Sequence, residues 1–178
     1  MKKLVAIASA LVALGGCADL GLVPPPADYP QFTSAGADLR SATGASVGTA
    51  TVTQVGDRLR LAVDASSLPP GARGIHIHQM GVCAGPDFTS AGPHWNPAGR
   101  QHGKDNPAGM HLGDLPNLLI GADGRGSMEY TIPAQASLVA LLDGDGASVV
   151  IHATSDDYRT DPSGNSGARI ACGVLQPR

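Results

Sequence analysis

The chain has 178 residues, 42% hydrophobic but only 3% aromatic, with 24 glycines and 14 prolines. That length suits a single domain with appendages, and an aliphatic core broken by so many turns favours an all-β sandwich or barrel over a helical bundle. A formal net charge of −3, with no basic run interleaved with aromatics, argues against nucleic acid as a partner.

The first sixteen residues read as a signal peptide. Met1-Lys2-Lys3 is a basic start, and Leu4 to Leu14 is an apolar run too short to span a bilayer. Leu14-Gly15-Gly16-Cys17 resembles a bacterial lipobox, in which the cysteine becomes the lipidated first residue of the mature protein. The expectation is a protein tethered to a membrane through Cys17 and facing the periplasm, with a weaker hint of the outer membrane from Ala18. An ordinary secretory signal with an unrelated cysteine is the alternative. Loss of the leader removes Lys2 and Lys3 and no acid, so the net charge goes from −3 to −5. Residues 17–34, with Val23-Pro24-Pro25-Pro26-Ala27-Asp28-Tyr29-Pro30, read as an extended tether, and 35–178 as the domain.

Strands are expected from about Ala37. Ser46 to Gln54 alternates, with Val47, Thr49, Thr51 and Thr53 on one face, and Arg58 to Val63 alternates with Leu59, Leu61 and Val63 inward. Gly56-Asp57 makes the turn between them. Leu68-Pro69-Pro70-Gly71 ends the third strand, and Gly74 to Gln79 is the fourth. A long irregular stretch follows, from Met80 to about Gly113, of the length that is normally functional or disordered. Leu115 to Ile120, Arg125 to Ile132, Ser148 to His152 and Arg169 to Leu175 are further strands. A second irregular loop, Ala153 to Ala168, precedes the last of them.

All six histidines fall into one pattern. His76 and His78 are two apart on an expected strand, so both rings share a face and can chelate one ion. Alone, such a pair is as often two half-buried structural histidines. His152, at the end of another strand, completes three ligands if the strands are neighbours. His94, His102 and His111 follow at intervals of 8 and 9 residues, with Asp114 three further on. Three histidines and an aspartate make a closed tetrahedral set of the kind that holds structural zinc, although the spacing is wider than in zinc fingers. Six imidazoles and one carboxylate suffice for two four-ligand sites if one imidazole is shared. With Cys17 used as an anchor, Cys83 and Cys172 remain, and an even pair in an exported chain reads as one disulfide, the alternative being two buried thiols.

Gly74 to Gly81, Gly92 to Pro97, His111-Leu112-Gly113-Asp114-Leu115-Pro116, and Gly164-Asn165-Ser166-Gly167-Ala168-Arg169-Ile170-Ala171-Cys172-Gly173-Val174 closely resemble the copper,zinc superoxide dismutase family. The resemblance covers about Ala37 to Leu175 and looks like the bacterial periplasmic branch. It implies a Greek-key β-sandwich or flattened barrel with two long functional loops. It implies copper on His76, His78, His94 and His152, zinc on His94, His102, His111 and Asp114, and His94 as the bridge that takes up a proton in turnover. It implies that Asp156 hydrogen-bonds the free ring nitrogens of His76 and His102, that Arg169 attracts superoxide to copper, and that Cys83 pairs with Cys172. The rival reading is a periplasmic protein that binds copper and zinc without turnover. Arg73 stands where many relatives have histidine, Lys104-Asp105 where relatives usually have Gly-Pro, and the Ala153 to Ala168 loop is short for the bacterial branch. Lys104 and Arg159 read as surface charges or as further attractors of the substrate. The bacterial branch includes both homodimers and monomers, so the oligomeric state stays open.

Overall fold

The computed structural model describes residues 32–133 and 135–178. The expected signal peptide, the lipidation site Cys17 and all of the tether up to residue 31 lie outside the described residues. The strands are β1 (Ser34–Ser41), β2 (Ser46–Val55), β3 (Arg58–Ala65), β4 (Gly71–Arg73), β5 (Ile75–His78), β6 (Leu118–Ile120), β7 (Gly126–Thr131), β8 (Ser148–His152), β9 (Arg169–Val174) and β10 (Gln176–Pro177). They pair antiparallel in the order β5-β8-β9-β1-β2-β3-β7, with β10 added to β1 and a separate β4-β6 pair. The sheet curls into a half-barrel, the all-β architecture expected.

Strand formation follows the alternation. Along β3, Leu59, Leu61, Val63 and Ala65 are buried while Arg58, Arg60 and Asp64 are exposed. Leu39, Val52, Leu61, Ile77 and Ile151 are wholly inaccessible, and each such side chain contributes about 1.5–3 kcal/mol of burial.

The phase of β2 differs from the alternation read in the sequence. Val47 is buried, and so are Ala50 and Val52 from the opposite set, whereas Thr49 is exposed and Thr51 and Thr53 are half-buried. The register explains it: Leu39 pairs with Gly48 and Arg40 with Ser46, so Val47 is an extra residue, a β-bulge that reverses the phase. Gly48 has φ 146° and no room for a Cβ against the Asp64 carbonyl, so the bulge is built on glycine.

Other differences are local. β1 starts at Ser34, three residues before the expected Ala37. Gly71, the last residue of the turn expected to end the third strand, opens a short strand of its own, β4, paired with β6. A single helical turn, α1 (Leu138–Leu141), lies where the residue pattern suggests no element. Ser137 caps it by accepting from the Ala140 N–H, and Leu138 and Leu141 join the core.

Candidate metal centre

The site forms at one end of the sheet order. β5 pairs with β8, and His152 at the end of β8 donates its N–H to the Gly74 carbonyl at 2.8 Å. That juxtaposition sets His152 beside the His76/His78 pair. The free edge of β5 is taken by the long loop. The Ile77 N–H donates to Gly113 O, the Trp95 N–H to Ile77 O, and the Gln79 N–H to Pro93 O, at 2.8–3.0 Å. These isolated bridges place His94 opposite His78 and Asp114 opposite His76. A segment with only one 3-10 turn of its own, Thr89–Ala91, is thus ordered by borrowing the edge of a strand.

Four buried ring nitrogens have no hydrogen-bond partner: His76 Nδ1, His78 Nε2, His94 Nε2 and His152 Nε2. One ligand atom from each of these residues lies within 4.8 Å of all the others. The opposite nitrogens explain the orientation. His76 Nε2 donates to Asp156 Oδ2 at 2.7 Å, His78 Nδ1 to the Gly92 carbonyl at 2.8 Å, and His152 Nδ1 to the Gly167 carbonyl at 3.2 Å. Each partner can only accept, so each ring carries its proton on the outer nitrogen and turns a lone pair inward. A buried polar atom without a partner is costly, and four facing one another fit a ligand set for a metal that accepts imidazole.

A second cluster surrounds one carboxylate oxygen. Asp114 Oδ1 lies 2.8 Å from His94 Nδ1, 3.0 Å from His102 Nδ1 and 3.1 Å from His111 Nδ1. His111 Nδ1 and His94 Nδ1 are 3.4 Å apart. Zinc–nitrogen bonds of about 2.0–2.1 Å in a tetrahedron give edges of roughly 3.3–3.4 Å; the His94–His111 separation matches that edge, and the three contacts to Asp114 Oδ1 are a few tenths of an ångström shorter, at hydrogen-bond length. His76, His94, His102 and Asp114 also fall within the 4.8 Å reach, because the two clusters are adjacent. Asp114 Oδ2 accepts from the Gly103 and His111 backbone N–H groups, which aims Oδ1 at the rings. His94 serves both clusters, Nε2 to one and Nδ1 to the other.

Asp156 joins them from behind, with Oδ2 on His76 Nε2 and Oδ1 on His102 Nε2 at 3.0 Å. Gly164 has φ 62° and packs against that carboxylate and the His102 ring, where a Cβ has no space.

Burial pushes the His76, His78 and His152 rings down to about 3, 2 and 4, so they are neutral at neutral pH and ready to ligate. Burial also lowers His94, against the pull of Asp114. His102 goes the other way. Burial opposes its charge, but hydrogen bonds to Asp114 and Asp156 prevail and raise it to about 9. Asp114 and Asp156 are held well below the usual carboxylate range: burial resists, and the histidine hydrogen bonds prevail.

Arg169 is the Cα partner of His152 across β8 and β9. Its guanidinium donates to Phe88 O at 2.6 Å and to Gly92 O at 2.8 Å, the latter being the carbonyl that His78 also uses. Phe88 and Ala91 pack on Cys172 and Cys83, which are joined in a disulfide with a Cα–Cα distance of 5.7 Å. The bridge therefore supports the carbonyls that hold the arginine. Arg73, the departure from the histidine of many relatives, donates to the Pro69, Pro70 and Ala153 carbonyls and takes no part in either cluster. Lys104 lies over the Tyr158 ring, 4.3 Å from its centroid. Sequence reasoning passed over Asn117 and Tyr158, which contact Asp156; the only cue was their nearness in sequence to Asp114 and Asp156.

Residues 46–175 match the family described as Copper/zinc superoxide dismutase (SODC). The chain is 43% identical to the superoxide dismutase-like protein YojM of Bacillus subtilis (strain 168), over 93% of this chain and 92% of that one. It is 40% identical to a superoxide dismutase [Cu-Zn] of Caulobacter vibrioides, over 80% of this chain and 86% of that one. Among solved structures, the Cu/Zn superoxide dismutase of Brucella abortus superposes with a TM-score of 0.66 at 30% identity, covering 80% of this chain and 99% of that one. A Bacillus subtilis SOD-like protein superposes with a TM-score of 0.74 at 43% identity, covering 79% and 97%. With its fold, its two histidine clusters and these relatives in agreement, the chain belongs to the copper/zinc superoxide dismutase family.

Proposed function

We propose that the protein dismutates superoxide at a histidine-bridged copper–zinc site in the cell envelope. Four partnerless buried nitrogens facing one another carry this reading, because a protein without a metal there gains nothing from them. His76, His78, His94 and His152 would hold copper, and His94, His102, His111 and Asp114 zinc. Copper supplies the one-electron change needed twice, since two superoxide ions and two protons give dioxygen and hydrogen peroxide; zinc supplies fixed positive charge at the shared ring.

The protein's own groups do the rest. The Arg169 guanidinium, half-buried beside His78 and His152, offers an anion a positive docking point. His94 holds a proton at Nε2 in one half of the cycle and gives it up in the other, while its Nδ1 stays on the zinc side. Asp156 keeps the proton of His76 on Nε2 and so keeps Nδ1 available.

Leu14-Gly15-Gly16-Cys17 supports lipidation at Cys17 and a periplasmic position on the membrane. The rival, metal binding without turnover, draws on the relative described only as superoxide dismutase-like. The full complement of histidines and Arg169 favour turnover, since a metal store has no use for an anion-docking arginine. Superoxide consumption by the copper- and zinc-loaded protein decides between them. Catalytic consumption that disappears on copper removal supports dismutation. Two bound metals with no consumption leave the binding protein.

A further inference from the structure

Tyr158 links the Ala153–Ala168 loop to three other parts of the site. Its N–H donates to Asp156 Oδ1 at 2.6 Å, and its carbonyl accepts the Asp105 N–H at 3.0 Å. Its hydroxyl accepts the Asn117 N–H at 2.8 Å, and its ring carries the Lys104 ammonium. Asn117 then grips the backbone of Asp156 with both ends of its carboxamide. Oδ1 accepts the Asp156 N–H at 2.7 Å, and Nδ2 donates to the Asp156 carbonyl at 3.0 Å. A closed ring of hydrogen bonds therefore runs from the Tyr158 hydroxyl through Asn117 to Asp156 and back to the Tyr158 N–H. Tyr158 itself has φ 62°, the left-handed region a tyrosine rarely occupies, which is consistent with its contacts holding it there.

We propose that Tyr158 is a positioning residue that fixes the Asp156 carboxylate and thereby sets zinc retention, leaving copper retention largely to the sheet. The proposal rests on the metal-centre reading above and deepens it. The two histidines that Asp156 holds are not equally dependent on it. His76 lies inside β5, paired to β8 on one side and bridged to the ligand loop on the other. His102 lies in a loop without regular structure. Its ring is held by Asp156 and Asp114, and its backbone N–H by Asp161 Oδ1 at 2.6 Å. Asp161 and Tyr158 belong to the same loop, and Asp105 and Lys104, which Tyr158 contacts, come directly after His102-Gly103. A slackened Tyr158 therefore frees the zinc-side histidine and barely moves the strand-held copper-side one. Lys104, where relatives usually have glycine, adds a cation on the ring face that strengthens this clasp in this chain.

The test compares the full-length protein with Tyr158→Phe, which keeps the ring and removes the hydroxyl, and with Lys104→Gln. Zinc and copper affinities are measured separately by competition with chelators. The copper(II) electron paramagnetic resonance spectrum and the melting temperature of the metal-free protein are recorded alongside. Outer hydrogen-bond partners of metal ligands are worth about 10–100-fold in affinity, so Tyr158→Phe should weaken zinc about tenfold and copper less than about twofold. Lys104→Gln should weaken zinc about threefold, as expected for one cation on an aromatic face. At limiting zinc the copper spectrum of the Phe variant should change toward that of zinc-depleted wild type, and excess zinc should restore it.

Unchanged zinc affinity in Tyr158→Phe, or equal loss of both metals with a lowered metal-free melting temperature, overturns the proposal. If the Phe variant does not fold, Lys104→Gln decides: wild-type zinc affinity there rejects the clasp. Wild-type protein that takes up neither metal would instead sink the metal-centre reading itself.

Discussion

At the scale of single residues, the site is organised by acceptors that lack alternatives. Gly92 O, Gly167 O and Asp156 Oδ2 cannot donate, so they dictate the tautomers of His78, His152 and His76 before any metal arrives. His102 is the exception, because both its nitrogens face carboxylates, Nδ1 to Asp114 and Nε2 to Asp156. With its titration raised to about 9, the ring is a cation at neutral pH in the metal-free protein, and the proton stands where zinc would. Zinc must expel it. Zinc uptake at pH 7 should therefore release about one proton from this ring, and apparent zinc affinity should climb by up to about tenfold per pH unit until it levels off near pH 9. The sign is fixed by the direction of the shift: a raised titration means that the proton competes below about 9 and not above it. Calorimetry in buffers of different ionisation heat measures the release. No release, together with a flat affinity between pH 6 and 8, would contradict the assigned state of His102.

At the scale of elements, legibility followed regularity. β3 and β8 were readable because Leu59-Arg60-Leu61 alternates and Val149-Val150-Ile151 is a continuous buried run. The inward phase of β2 was not, because a bulge at Val47 leaves no mark in the residue pattern beyond one glycine. The helical turn α1 is too short for any period to show. In the centre, the like-facing pair on β5 came from strand geometry. The arrangement of His94, His102, His111 and Asp114 needed the family resemblance, since bridges from an irregular loop to β5 have no local signal. The disulfide acts at this same scale. It closes 89 residues and ties the ligand loop to β9, for which chain entropy gives roughly 4–5 kcal/mol at most. Reduction should lower the melting temperature of the metal-free protein by up to about 10–20 °C. It should also loosen the Phe88 carbonyl that holds Arg169, and so slow superoxide consumption by the loaded protein. Scanning calorimetry with and without reductant checks the first effect; a shift under about 2 °C would reject the estimate.

At the scale of the whole molecule, charge sets a conflict. The chain is formally at −3, yet the proposed substrate is an anion. Local potential at the Arg169 mouth must outweigh the net field. Lys104 stands over Tyr158, so its proposed place is structural and Arg169 carries the steering. Arg169→Glu should slow superoxide consumption at least about tenfold, steering being worth 10–1000-fold, with metal content unchanged. Rising salt should slow the wild type, the Debye length being about 10 Å at 0.1 M, and should leave the variant flat or slightly faster. Equal rates and equal salt responses would remove Arg169 from this role. Cys17→Ser should move the protein from the membrane fraction to the soluble one at unchanged activity per molecule; mass spectrometry finding wild-type Cys17 unmodified would dismiss the anchor. The isolated bridges along β5 carry one more consequence. β5 is the terminal strand of the sheet order, and the long loop is what occupies its outer edge. An uncovered edge strand offers unpaired N–H and C=O groups to any other chain. Were that loop to lift, β5 would offer a template for strand addition, so the segment that carries the metal ligands also guards the sheet edge.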